Sequence, residues 1–197
     1  MGNVGIIGRA RVGKDTAGEW FVKNRGYKRV SFADPLRELA LRLNPIVDVI
    51  DYGDDVEVLS ELVDRRGWET AKDRNPEVRR ILQELGAGVR AIDPEFWLRT
   101  ALAKVTEANE NGQPVVITDV RYPNEADSLR RVGFHLVHID RPGVPHLDHE
   151  SEGALTAEEA DWSIRNDRSL STFCDAVEHV ANLIYTAESR RHYARSH

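Results

Sequence analysis

Cysteine and methionine each occur once in 197 residues. With Cys174 alone no internal disulfide can form, which fits a reducing compartment. Cys174 falls on an apolar helical stripe, so a buried, inert thiol is expected there. Aromatic residues make up only 7% of the chain. No apolar run reaches the roughly 18 residues that a membrane-crossing helix needs, and no signal-peptide pattern opens the sequence. A soluble, cytoplasmic protein with no membrane partner is therefore expected. Basic charge is not in excess either: 27 Lys and Arg stand against 33 Asp and Glu, a formal net charge of −6. That speaks against nucleic acid as a partner, because such surfaces carry basic stripes. It leaves room for local basic pockets that take phosphorylated small molecules. Hydrophobic residues at 41% and charged residues at 30% describe a globular chain, of a length suited to one α/β domain.

Apolar strands alternate with helices. Val4–Ile7 reads as a buried strand followed by a helix over Lys14–Arg25. A second strand is expected at Tyr27–Phe32, then a helix from Ala33 to Leu43, stopped near Asn44-Pro45. Residues 46–75 are acidic, and a helix is expected between Val56 and Arg66. Pro76 opens another helix, and Asp93-Pro94 launches one that runs to about Asn109. Val115–Thr118, Phe134–Ile139 and Trp162–Ile164 are further strands. A helix spans Pro123–Val132, and Thr156-x-x-Glu159 reads as a small capping box. Leu170, Phe173, Val177, Val180 and Ile184 mark one face of a final helix. This alternation implies a parallel sheet covered on both faces, with ligands beyond the carboxyl ends of the strands.

After the first strand comes GRARVGKDT. Four residues separate Gly8 from Gly13-Lys14, the spacing of a phosphate-binding loop. The two glycines let the backbone turn tightly and aim its N–H groups at an anion. The following helix adds its positive end, and Lys14 can reach the terminal phosphates of a nucleoside triphosphate. Asp15 stands where a serine or threonine is usual. Its carboxylate is a hard oxygen ligand for Mg²⁺, or simply compensates charge at a helix start. Thr16 still offers a hydroxyl and an N–H to a phosphate, and Arg11 lies within the same loop.

The other strand ends carry polar residues as well. Asp34 either caps a helix or orients an acceptor hydroxyl or phosphate, and Arg37 one turn on suits a phosphate. Asp119 sits where a second Mg²⁺-organising carboxylate would fall; Arg121 could clamp a phosphate bidentately or pair with Asp119. Arg79, Gln83, Gly86 and Arg90 share one helical stripe that suits a base and a phosphate, or is a solvated face. Arg141 follows the fourth strand. His146, Asp148 and His149 lack the spacing and second cluster of a zinc site; a mobile lid at 141–155 is expected instead. Asn166 follows the last strand, either near the donor base or in a turn.

GRARVGKDT at Gly8, SFADPLREL at Ser31, ILQELGAGVR at Ile81, DPEFW at Asp93, ITDVRYPNEAD at Ile117, HIDRP at His138, HESE at His149 and SIRND at Ser163 occur in this order. Together they resemble the phage-type deoxynucleoside monophosphate kinases, of the P-loop nucleoside monophosphate kinase group, over nearly the whole chain. The aspartate after the lysine is usual in that family. The resemblance implies a three-layer α/β/α fold with a five-stranded parallel core from 1–32, 112–140 and 161–197. It further implies a helical acceptor-binding region at 33–110 and a lid at 141–155. It implies transfer of the γ-phosphoryl of ATP, with Mg²⁺, to a deoxynucleoside 5′-monophosphate, in the host cytoplasm if the protein is phage-encoded. Gly8, Arg11, Gly13, Lys14, Asp15, Thr16 and Asn166 would then serve the donor, with Asp15 and Asp119 on the metal. Asp34, Arg37, Arg79, Gln83, Arg90, Trp97 and Arg121 would face the acceptor, and Lys14, Asp34, Arg121 and Arg141 would take part in transfer. Trp68, Trp97 and Tyr122 are candidates for a wall that excludes a ribose 2′-hydroxyl. Residues 142–155 contain no arginine, so a lid cation must come from Arg141 or a histidine.

A dephospho-coenzyme A kinase would use the same donor site with a ribose hydroxyl as acceptor, and Asp34 as general base. A GTP switch would need a guanine-reading Asn-Lys-x-Asp, which the sequence lacks. A non-catalytic nucleotide-binding scaffold would bind ATP without acceptor-dependent turnover. The oligomeric state is open, a homodimer included.

Overall fold

The computed structural model describes residues 2–50, 55–145 and 155–195. The chain divides into two compact units, Met1–Ser31 with Leu102–His197, and Phe32–Ala101.

The first unit is built on a five-stranded sheet in the order β2-β5-β1-β6-β7, all neighbours parallel. Its strands are β1 (Val4–Ile7), β2 (Lys28–Val30), β5 (Val115–Ile117), β6 (His135–Asp140) and β7 (Trp162–Arg165). Parallel strands must be joined by crossovers, and here the helices α1 (Lys14–Arg25), α7 (Pro123–Arg131) and α8 (Leu170–Arg195) supply cover. Val4, Ile6, Ile7, Val115, Val116, Ile117, Leu136 and Ile139 are at or near zero exposure, as strands buried on both faces require. One core cluster joins Val4, Ile6, Val116, Val137 and Ile139 of the sheet to Ala17 and Phe21 of α1 and Phe173, Val177 and Ile184 of α8. At about 25 cal/mol per Å² of apolar surface removed from water, this contact is a main source of stability. The final helix runs past its last buried residue, Ile184, to Arg195. Cys174 is free but only half-buried, less enclosed than its apolar neighbours suggested.

Among its described residues, the second unit is helical except for one antiparallel strand pair. It holds α2 (Asp34–Leu43), α3 (Leu59–Arg66), α4 (Trp68–Arg74), α5 (Pro76–Ile92) and the start of α6 (Phe96–Glu110). Ala40, Val47, Leu59, Leu62, Ala71 and Val78 form its core. Asn75 caps α5, its side-chain oxygen accepting from Glu77 and Val78 N–H at 3.0 and 3.4 Å. Asp93 starts α6 by accepting from Glu95 N–H at 3.1 Å. The pair, β3 (Ile46–Ile50) antiparallel to β4 (Asp55–Val58), corrects the expectation for this segment. β4 occupies the start of the helix expected at Val56–Arg66, which begins only at Leu59. The β-branched residues at 46, 47, 49, 56 and 58 favour an extended pair, and the acidic composition obscured them.

Among the described residues, no helix is long and apolar enough to cross a membrane. Of the expected lid, 146–154 lie outside the described residues, with His146, His149 and the HESE motif.

Candidate active site

The loop between β1 and α1 is closed by two glycines that no other residue could replace without a shift. Gly8 has φ +137°, and a Cβ there would lie 2.3 Å from the carbonyl oxygen of Ile139 in β6. Gly13 has φ +110°, and a Cβ there would come within 2.8 Å of the Asn166 amide nitrogen. Arg11 between them also has a positive φ, 63°, a conformation an L-residue holds only when its surroundings demand it. The loop is therefore pinned to the carboxyl ends of β6 and β7.

No side chain caps α1 at Gly13, in contrast to Asn75 on α5. A glycine N-cap has no side chain of its own to set against the first turn of α1, and helix starts of this kind are where anions are received. Lys14, the first residue of that turn, donates from Nζ to the carbonyls of Gly8 at 2.6 Å and Arg9 at 2.5 Å. Its ammonium is held within the loop's own curl. Thr16 is exposed on the same turn.

Asp15 is also exposed, but its Oδ1 is engaged. Arg29 of β2 donates to it at 2.6 Å and the hydroxyl of Thr118 lies 3.1 Å away. Thr118, just past β5, is 2% exposed, and its methyl carbon sits 2.3 Å from where a Cβ on Gly18 would fall. The start of α1 therefore rests against the end of β5. Asp119 follows, half-buried, with Oδ2 accepting from Ser31 Oγ at 2.6 Å. Asp15 and Asp119 are hard oxygen donors of the kind Mg²⁺ selects, each held by a partner at a carboxyl strand end.

Arg121 is set by Glu125, a buried residue whose carboxylate accepts from the backbone N–H of Arg121 at 2.8 Å and of Tyr122 at 3.1 Å. The guanidinium groups of Arg11, Arg121 and Arg141 are exposed, and none has an ion-pair partner among the described residues. In particular, Asp119 and Arg121 do not pair. Arg9 tethers the segment after β6, donating to Val144 O at 3.4 Å and lying 3.5 Å from Asp140 Oδ1. Asn166 is 7% exposed; its Nδ2 donates to Val12 O at 2.9 Å and its backbone N–H to Asp140 O at 2.7 Å. It packs beneath the loop that precedes α1.

In the second unit, Asp34 begins α2. Arg37, one turn on, donates to Glu69 Oε1 at 2.7 Å and lies 5.6 Å from the centre of the Trp68 ring. Lys72, by hydrogen bond, and the charge of Arg37 hold the Glu69 carboxyl below its usual range. Arg79 pairs with Asp73 at 3.4 Å, while Gln83 and Arg90 are exposed on α5. Gly86, on the same stripe, is buried against Leu36. Trp97 is 6% exposed, with its indole N–H donating to Gly86 O at 3.2 Å and its ring edge-on to Phe96. It is a strut between α5 and α6.

Arg29, Thr118, Ser31, Glu125 and Arg9 were not singled out from the sequence. Their partners lie 3 to 135 residues away; only the Glu125 contacts, at helix-start spacing, left a local trace.

A sequence model of deoxynucleotide monophosphate kinases matches residues 49–177. A protein of Acanthamoeba polyphaga mimivirus, provisionally named a deoxynucleotide monophosphate kinase, is 30% identical over 192 residues, covering 88% of this chain and 93% of that one. The deoxynucleotide monophosphate kinase of Escherichia phage RB69 is 31% identical over 107 residues, which take in 52% of this chain and 44% of the phage protein. Among solved structures, dephospho-CoA kinase from Campylobacter jejuni superposes with a TM-score of 0.53 at 12% identity, over 95% of this chain and 100% of that one. That likeness is one of fold, the P-loop kinase architecture. The chain belongs to the deoxynucleotide monophosphate kinase family.

Proposed function

We propose that this chain transfers the γ-phosphoryl group of ATP to a deoxynucleoside 5′-monophosphate, giving the diphosphate and ADP, with Mg²⁺ as the assisting ion. The observation that carries the reading is the start of α1: a glycine-pivoted loop, an uncapped helix end and Lys14 folded into the loop, in a chain of this family.

Phosphoryl transfer asks for alignment and charge stabilisation more than for covalent chemistry. The loop N–H groups and Thr16 would bind donor phosphates. Lys14 would exchange its two carbonyl partners for terminal phosphate oxygens. Arg11, Arg121 and Arg141 would supply positive charge as negative charge spreads over the transferred group. Asp15 and Asp119 would hold the metal. Bound there, Mg²⁺ would supply positive charge to the triphosphate. Asn166 would act through the loop it supports.

Asp34, Arg37, Arg79, Gln83 and Arg90 would serve the acceptor, and Trp97 would act through the α5 backbone it braces. The acceptor phosphate has a second pKa of about 6 and is largely a dianion near neutral pH. Asp34 therefore needs only to orient it, not to remove a proton.

ADP release measured with Mg·ATP and a panel of deoxy- and ribonucleoside monophosphates checks this reading. Release should depend on a deoxynucleoside monophosphate. Release only with an acceptor bearing a free ribose hydroxyl, or ATP binding without acceptor-dependent release, would contradict it.

A further inference from the structure

Asp15 presents an electrostatic difficulty that its surroundings resolve. A carboxylate directly after Lys14 lies beside the place proposed for a polyanion, where an unattended negative charge would repel it. Its two oxygens are treated differently. Oδ1 accepts from Arg29 Nη2 at 2.6 Å and from the Thr118 hydroxyl at 3.1 Å. Arg29 Nη2 also donates to Thr118 Oγ1 at 3.1 Å. The three side chains form a closed triangle: one Nη2 hydrogen goes to Asp15, the other to Thr118, and the Thr118 hydroxyl hydrogen to Asp15. Oδ2 makes no hydrogen bond among the described residues, and the Asp15 side chain is 73% exposed.

We propose that Arg29 is a positioning residue of the donor site. With Thr118 it anchors Oδ1 of Asp15, so that Oδ2 is turned out to the Mg²⁺ ion, or a water on it, that accompanies the triphosphate. The inference rests on the nucleotide-site reading above and adds a residue to it. Three features support it. The triangle draws on α1, β2 and the end of β5, and Thr118 cannot drift, being 2% exposed and pressed against Gly18. Arg29 reaches both oxygen atoms from one nitrogen, a two-point hold of defined direction that a lysine on a flexible stem reproduces poorly. And the pair is exposed, 43% for Arg29 and 73% for Asp15; such pairs contribute little to stability. Orientation of the carboxylate is thus the larger consequence of the arrangement.

Equilibrium binding of ATP to the full chain, titrated with Mg²⁺ at fixed nucleotide, tests the assignment without turnover. R29Q should raise the Mg²⁺ concentration for half-maximal binding about tenfold, the scale on which residues behind a metal ligand act, while leaving the melting temperature within about 2 °C. R29K should recover part of the shift. In a D15N background, R29Q should add less than about twofold, because the residue acts through Asp15. An equal shift in both backgrounds would mean that Arg29 touches the phosphates directly, and no shift in either would make the triangle structural; each overturns the proposal. Failure of the wild-type chain to bind Mg·ATP at all would instead overturn the nucleotide-site reading.

Discussion

The side-chain amide of Asn166 donates to the carbonyl oxygen of Val12 at 2.9 Å, deep beneath the loop that precedes Lys14. The same amide nitrogen stands 2.8 Å from the position a Cβ on Gly13 would occupy. Asn166 therefore fixes the loop twice, by a hydrogen bond and by filling the space beside its last glycine. Asn166→Ala leaves a buried carbonyl unsatisfied and should lower stability by about 1–3 kcal/mol. Asn166→Asp sets a carboxylate against that carbonyl and should be worse. Urea unfolding and ATP titration of the pair check the order; equal behaviour of the two variants would show that the amide is not the fastening.

Gly8 carries the tightest constraint in the loop. Gly8→Ala places a methyl group 2.3 Å from the Ile139 carbonyl oxygen at a φ of +137°. The strain and the forced shift together should amount to about 3 kcal/mol, and ATP binding should fall at least about tenfold because the curl of N–H groups is displaced. A variant that melts and binds like the wild type would show the loop to be more adaptable than this packing implies.

Arg37 cannot hold Glu69 and an acceptor phosphate with the same donors. Arg37→Ala should raise the KM for the monophosphate about tenfold or more with a smaller change in kcat. Glu69→Gln releases Arg37 from its 2.7 Å ion pair and should lower that KM about two- to fivefold. Steady-state kinetics with the acceptor varied distinguishes the outcomes. A raised KM in Glu69→Gln would mean that Glu69 presents Arg37 to the substrate instead of competing for it.

Asp34→Asn should reduce kcat through misplacement of the acceptor, by roughly 10–100-fold, without moving the acid limb of the pH–rate profile. Loss of that limb would identify Asp34 as a proton acceptor. A fully normal rate would remove it from the site.

Burial pushes the Tyr27 phenol up from 10.0 to about 12, with Glu188 acting in the same direction and Arg25 against it. Its hydroxyl donates to Gly2 O at 2.8 Å. The fold thus keeps a proton that the unfolded chain releases above pH 10. The stability this contributes is present below pH 10 and is lost as pH rises toward 12. Tyr27→Phe should flatten the alkaline fall in stability by about 2 kcal/mol. Unfolding midpoints of both chains between pH 8 and about 12 check this; parallel curves would contradict it.

The sheet was legible because its strands are short apolar runs ended by polar or glycine-rich residues, and each run has only one way to be buried. The phosphate loop was legible because Gly8, Gly13 and Lys14 are close in sequence. The strand pair at 46–50 and 55–58 was not, since its β-branched residues are interleaved with acidic ones and Ile46, Val49 and Val56 stay exposed, so apolar periodicity gave no signal. The triangle of Asp15, Arg29 and Thr118 was hidden for another reason: separations of 14 and 103 residues become neighbours only once β5 lies between β1 and β2. Trp97 and Asn166 were recognisable as special, but their hydrogen bonds to the carbonyls of Gly86 and Val12 span 11 and 154 residues and left no local pattern.

The decisive measurement follows the label from γ-phosphate-labelled ATP in the presence of Mg²⁺ and a deoxynucleoside monophosphate, for the wild type beside Lys14→Met. Label should pass to the deoxynucleoside diphosphate, at least about 100-fold faster in the wild type. Label recovered only as inorganic phosphate, or transferred equally well by Lys14→Met, would contradict a triphosphate gripped at the start of α1.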